Sequence, residues 1–146
     1  MTAPYIVKGC LFAGLLITAA VCDMRKREIP DIIPVLMIPL AFIGFNLNGS
    51  LFGLLVSGLP YLLAAAISKR KGAIGGGDIK LMAASGFVLG YNAAMLHNVL
   101  SLTMIVLGGL TYAIMKKKEI KEIEMPLAPF FGAGGILAYT ALLLGA

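Results

Sequence analysis

Six apolar runs follow one another along the chain, separated by short connections. They extend from about Pro4 to Cys22, Ile32 to Leu47, Leu51 to Ile67, Ile74 to Gly90, Ala93 to Met115 and Leu127 to Leu144. A helix crosses the hydrocarbon of a bilayer with about 20 apolar residues, somewhat fewer or more being tolerated. The pattern predicts an all-α membrane protein, a single-domain bundle of six transmembrane helices covering residues 1–146. The fourth run is short and rich in glycine. Gly49-x-x-x-Gly53 and Gly86-x-x-x-Gly90 are spaced for close helix packing, and Pro39 and Pro60 fall inside apolar runs, where proline kinks a helix.

Composition agrees with this picture. The chain is 60% hydrophobic and 13% charged, with a mean hydropathy of +0.95. A water-solvated domain of ordinary usage is roughly 45–50% apolar and about one quarter charged. The formal net charge of +5 is no nucleic-acid footprint, because no basic stripe runs along a helix face. The charges have an order instead. Arg25, Lys26 and Arg27 follow the first run, Lys69, Arg70 and Lys71 the third, and Lys116 to Lys118 the fifth, while the connections Asn46 to Ser50 and Tyr91-Asn92 are uncharged. Excess Lys and Arg mark cytoplasmic loops. Loops one, three and five are therefore expected in the cytoplasm of a cell whose inner membrane holds the chain, with both termini external. The basic residues after the first run also suit membrane-lipid phosphates. That order is the reverse of a cleaved signal peptide, so the first run is expected to persist as a helix.

The cysteines imply little chemistry. Cys10 and Cys22 lie twelve residues apart in one run, about 18 Å along a helix, too far for a disulfide. Without a C-x-x-C pair, a cysteine metal site is not expected, and no cofactor is implied.

Two acids lie at the edges of apolar runs. Asp23 closes the first, and Asp78 opens the fourth within Gly75-Gly76-Gly77-Asp78-Ile79-Lys80-Leu81. By the charge pattern both are cytoplasmic and at membrane depth. An ionised carboxylate there needs a partner, a cavity or a function. Two carboxylates sharing a proton can hydrolyse a peptide: one takes a proton from water and the other gives one to the carbonyl oxygen. No Ser-His-Asp or Cys-His set competes. His97, the only histidine, belongs to the far side and is expected at the interface there. Gly75, Gly76 and Gly77 permit left-handed backbone and the close approach of an extended chain. From the residues alone, Asp78 fits equally as a first-turn acid favoured by the helix dipole. Lys80 is a candidate contact for an acidic substrate group or lipid phosphate, and Asp31 a cap for the second helix.

Three stretches in order resemble the type IV prepilin peptidase family. Gly75-Gly76-Gly77-Asp78 is similar to its G-x-G-D motif, continuing into Met82-Ala83-Ala84-Ser85-Gly86. Asp23-Met24-Arg25-Lys26-Arg27-Glu28-Ile29-Pro30-Asp31 is similar to its helix-ending Asp, basic residues and Ile-Pro-Asn or Ile-Pro-Asp. Pro126-Leu127-Ala128-Pro129-Phe130-Phe131-Gly132 resembles the proline-rich start of its last helix. The resemblance implies a membrane-embedded aspartyl endopeptidase with Asp23 and Asp78 catalytic. Its substrate would be a prepilin-like protein with a short basic leader, cut at the cytoplasmic face, usually after Gly and just before an apolar helix. Larger members carry a cytoplasmic insert with two C-x-x-C zinc pairs and also methylate the new N-terminus. This chain resembles the compact, peptidase-only form found with Flp/Tad pili, or a stand-alone peptidase of an archaeal-type system. The rival classes are a small ion or proton transporter, which would need more polar residues deep in several spans, and a non-catalytic membrane assembly protein.

Overall fold

The computed structural model describes residues 3–44, 46–68, 74–116 and 125–145. Among these the chain is all-helical, with six helices: α1 (Ala3–Lys26), α2 (Ile32–Ala41), α3 (Leu47–Ile67), α4 (Gly76–Leu89), α5 (Tyr91–Lys116) and α6 (Ala128–Leu144). α1, α3 and α5 are long and apolar enough to cross a membrane, while α2 and α6 are shorter apolar helices. At ten residues, α2 rises only about 15 Å.

Several boundaries differ from the apolar runs, each for a local reason. α1 continues to Lys26, four residues beyond Cys22, because Asp23 and the basic residues add a last turn. Arg25 and Lys26 there complement the negative end of the helix. Arg27, at φ 56°, closes it in a left-handed conformation. The second run is expected to reach Leu47, but α2 stops at Ala41, where Pro39 stands in its last turn. A turn at Gly44 (φ 71°) follows, and Asn46 caps α3 by accepting from the Gly49 N–H at 3.4 Å. α3 therefore begins at Leu47, ahead of the expected Leu51. Gly90, at φ 74°, separates α4 from α5 with a single residue.

α4 is the central helix, touching α2, α3, α5 and α6; α1 packs on α2 and α6, and α5 on α3 and α6. Its buried residues, Leu81, Met82, Ala84, Ser85, Gly86, Val88 and Leu89, face neighbours on several sides, as expected for an enclosed helix. The two glycine pairs read from the sequence face each other across α3 and α4. A Cβ at Gly53 would fall on the Gly86 carbonyl oxygen, one at Gly86 on the Gly53 carbonyl oxygen, and one at Gly90 would approach Gly49. Lipid gives helices no hydrophobic drive to associate, so such backbone contact supplies much of the packing.

The core joins Phe12 and Leu16 of α1, Met37 of α2, Leu81 and Met82 of α4 and Phe131 of α6, all fully buried. Outward faces are apolar as well, with Leu11, Ile17, Leu63, Val99 and Val106 exposed. An apolar exterior of this extent belongs to a protein solvated by lipid. The charged connections Lys69-Arg70-Lys71 and 117–124 lie outside the described residues.

Candidate active site

The buried stripe of α1 runs through Phe12, Leu16 and Ala19 to Asp23. These steps of three and four residues keep one helix face inward, so Asp23 is buried (7% exposed) although it lies in the last turn. Its Oδ2 accepts a hydrogen bond from the backbone N–H of Ala128 at 3.0 Å. Ala128 opens α6, with Pro129 beside it. A carboxylate is favoured at the electropositive start of a helix, where N–H groups lack intrahelical partners.

Asp78 occupies the first turn of α4. Its Oδ2 accepts from the Gly75 N–H at 3.2 Å, and its own N–H donates to the Gly75 carbonyl at 3.1 Å. The capping role is thus real, yet it occupies one oxygen only. Oδ1 is buried and has no hydrogen-bond partner among the described residues. Asp23 and Asp78 lie within range of each other's charge. Two carboxylates from helices far apart in sequence thus lie within range of each other's charge, each steadied by one backbone N–H.

The glycines before Asp78 do something other than expected. Positive φ occurs among the described glycines at Gly44, Gly90 and Gly145, so Gly75, Gly76 and Gly77 are not there for left-handed backbone. Gly77 lets Ile29 approach: a Cβ would come within 3.0 Å of the Ile29 Cβ and 3.3 Å of its carbonyl oxygen. At Gly75 a Cβ would crowd Asp78 Oδ2 at 3.1 Å, whereas Gly76 faces open space.

Lys80 is exposed and bonds both carboxylate oxygens of Asp31 at 2.8 Å. Asp31 stands at the N-cap position of α2, but its side chain makes no cap bond there. The Ile29–Asp31 stretch is therefore tied to the start of α4 twice, by packing at Gly77 and by the ion pair at Lys80. His97 is a correction: it is fully buried, with Nε2 paired to the Phe131 carbonyl oxygen at 3.0 Å, and is no interfacial residue.

Sequence reasoning missed two contributors. The Ala128 N–H belongs to the backbone, so residue type could not reveal it, although Pro126 and Pro129 flagged the segment. Tyr61 of α3 interacts electrostatically with Asp78; a lone tyrosine in an apolar run gives no signal by itself.

Comparison with known proteins agrees with the family resemblance, and the family match takes in the first two motif stretches. Residues 10–115 match the type IV leader peptidase family. The chain is also 35% identical over 133 residues to a prepilin leader peptidase/N-methyltransferase of Bacillus subtilis (strain 168), covering 88% of this chain and 53% of that protein. The chain thus spans about half the length of the curated relative it matches. No solved structure matches it.

Proposed function

Since the chain belongs to the type IV leader peptidase family, we propose that it is an aspartic endopeptidase that removes the leader of prepilin-like proteins, with Asp23 and Asp78 as its catalytic pair. The observation that carries this is a pair of carboxylates within range of each other's charge, each accepting one backbone N–H, with Asp78 Oδ1 unpartnered among the described residues. The pair holds one proton between them. The ionised member takes a proton from water as the water oxygen bonds the scissile carbonyl carbon. The protonated member gives its proton to the carbonyl oxygen. Collapse of the tetrahedral intermediate breaks the C–N bond, and the amine nitrogen leaves with a proton returned by the pair.

The surroundings suit a peptide entering from one end of the bundle. Gly76 leaves open space beside the first turn of α4, and the exposed Arg25 and Lys26 lie one turn from Asp23. We place this end at the cytoplasmic face of the inner membrane, with six spans and external termini, because the basic residues of the first connection and Lys80 gather here. A basic leader would emerge from the membrane at this depth. Lys80, paired with Asp31, acts first as a clamp between the two motif segments and only then as a contact for substrate or lipid phosphate. Methyl transfer, which the name of the Bacillus relative includes, is not assigned to this chain.

The test is co-expression with a reporter bearing a short basic leader, a glycine and an apolar helix. The protein should shorten the reporter by its leader in membranes. A reporter left at full length in the presence of abundant protein would contradict the assignment.

A further inference from the structure

We propose that Tyr61 is a third catalytic member of this site, its hydroxyl donating a hydrogen bond to the scissile carbonyl oxygen as that oxygen gathers negative charge. The inference rests on the Asp23–Asp78 assignment and adds a donor to it. Tyr61 lies on α3, six residues before its end, and is 4% exposed. Its hydroxyl is buried without a hydrogen-bond partner among the described residues, and so is Asp78 Oδ1. The two side chains interact electrostatically yet do not bond each other. A buried donor and a buried acceptor, each without a partner among the described residues, therefore stand within range of one another's charge. Unpaired polar groups away from water are costly and rare, and they concentrate where a ligand or reacting group completes them.

The tyrosine is held in place by the same helix turn that holds Asp23. Its ring meets Phe131 edge-on, with centroids 5.2 Å apart and planes at 81°. Phe131 lies one turn beyond Ala128, whose N–H binds Asp23, and the Phe131 carbonyl is fixed by His97 at 3.0 Å. The first turn of α6 thus sets both the carboxylate and the hydroxyl. A peptide carbonyl brought to both groups can take the proton of the pair at one lone pair and the Tyr61 hydrogen bond at the other. Tyr61 keeps its proton throughout, so the balance of the hydrolysis is unchanged. A donor aimed at developing charge acts mainly on the transition state.

The test compares wild type, Tyr61→Phe and Asp78→Asn as purified, folded proteins on the basic-leader reporter. Phenylalanine keeps the ring and its contact with Phe131. Tyr61→Phe should lower kcat on the order of 10²- to 10³-fold with KM nearly unchanged, as for loss of one oxyanion donor. It should also weaken binding of a reporter peptide carrying a secondary alcohol at the cut position, a mimic of the tetrahedral intermediate, while binding uncleaved peptide as before. A purely structural tyrosine would lower the unfolding temperature or raise KM without that selective loss, and either result alone would overturn the inference. Wild-type kcat in Tyr61→Phe beside an inactive Asp78→Asn would remove Tyr61 from the site and leave the pair standing. Cleavage by Asp78→Asn would remove both.

Discussion

The buried face of α1 carries a charge near each end, and the two ends are built differently. Lys8 is 6% exposed and Asp23 is 7% exposed. Around Lys8 the polar side chains each have a partner. Its Nζ donates to the Ile43 carbonyl at 3.0 Å, just past the end of α2, and the Tyr139 hydroxyl donates to the Tyr5 carbonyl at 2.7 Å. A cation there complements the negative end of a helix and ties α1 to it. Around Asp23 the polar groups are only half closed. Each carboxylate of the pair takes one backbone N–H, and Asp78 Oδ1 and the Tyr61 hydroxyl have no partner among the described residues. A buried charge with a partner ties helices together, whereas a cluster of acids and a hydroxyl with unpartnered atoms can act on a reacting group. Burial alone does not tell these two ends apart; polar atoms left with no partner at all among the described residues do.

The contrast can be broken from either end. The largest effect short of removing a carboxylate or the Tyr61 hydroxyl is expected at Gly77. Its Cβ would press on Ile29 and displace the first turn of α4, and a misplacement of about 1 Å can cost on the order of 10²-fold in rate. Gly77→Ala should therefore cut reporter cleavage by about that factor, while Gly76→Ala, whose Cβ would meet no atom of the protein, should lose less. Equal rates for both variants would show that the contact with Ile29 does not set the site.

Next comes Lys8→Met, which keeps the length of the side chain but removes its bond to Ile43. Charged hydrogen bonds contribute roughly 1.5–3 kcal/mol, so the unfolding temperature in detergent should fall, with kcat per folded molecule unchanged. A selective loss of kcat would mean that the two ends are coupled. The smallest effect belongs to Lys80→Met. The Lys80–Asp31 pair is exposed, and such pairs are worth about 0–1 kcal/mol. Its loss should leave stability within about 1 kcal/mol of wild type. A large fall in cleavage without a fall in stability would return Lys80 to direct substrate contact.

Much of this arrangement was legible in the sequence, and the parts that were not share a cause. Asp23 and Asp78 stood out because acids at the edges of apolar runs need a reason. The glycine pairs signalled close packing, although not that they would meet each other across α3 and α4. The start of α3 was hidden because Phe42, Ile43, Phe45 and Leu47 continue an apolar run, and only the side-chain bond from Asn46 to Gly49 marks the cap. His97 was placed at the interface because polarity was weighed without its partner, the Phe131 carbonyl. The Ala128 N–H and the Tyr61 hydroxyl depend on α3 and α6 converging on α1 and α4. Hydropathy reports where helices are, whereas these contacts follow from how the helices are turned toward one another.

The central claim is that Asp23 and Asp78 act as one hydrolytic unit. The most direct test measures leader cleavage by Asp23→Asn, Asp78→Asn and the double variant, each confirmed to accumulate and fold. Asparagine keeps the shape of the side chain but cannot exchange the proton. Both single variants should lose on the order of 10⁴-fold or more in rate, and the double variant should be no worse than either, because members of one unit are not additive. Substantial cleavage by either single variant, or losses that multiply in the double one, would contradict a shared two-carboxylate mechanism.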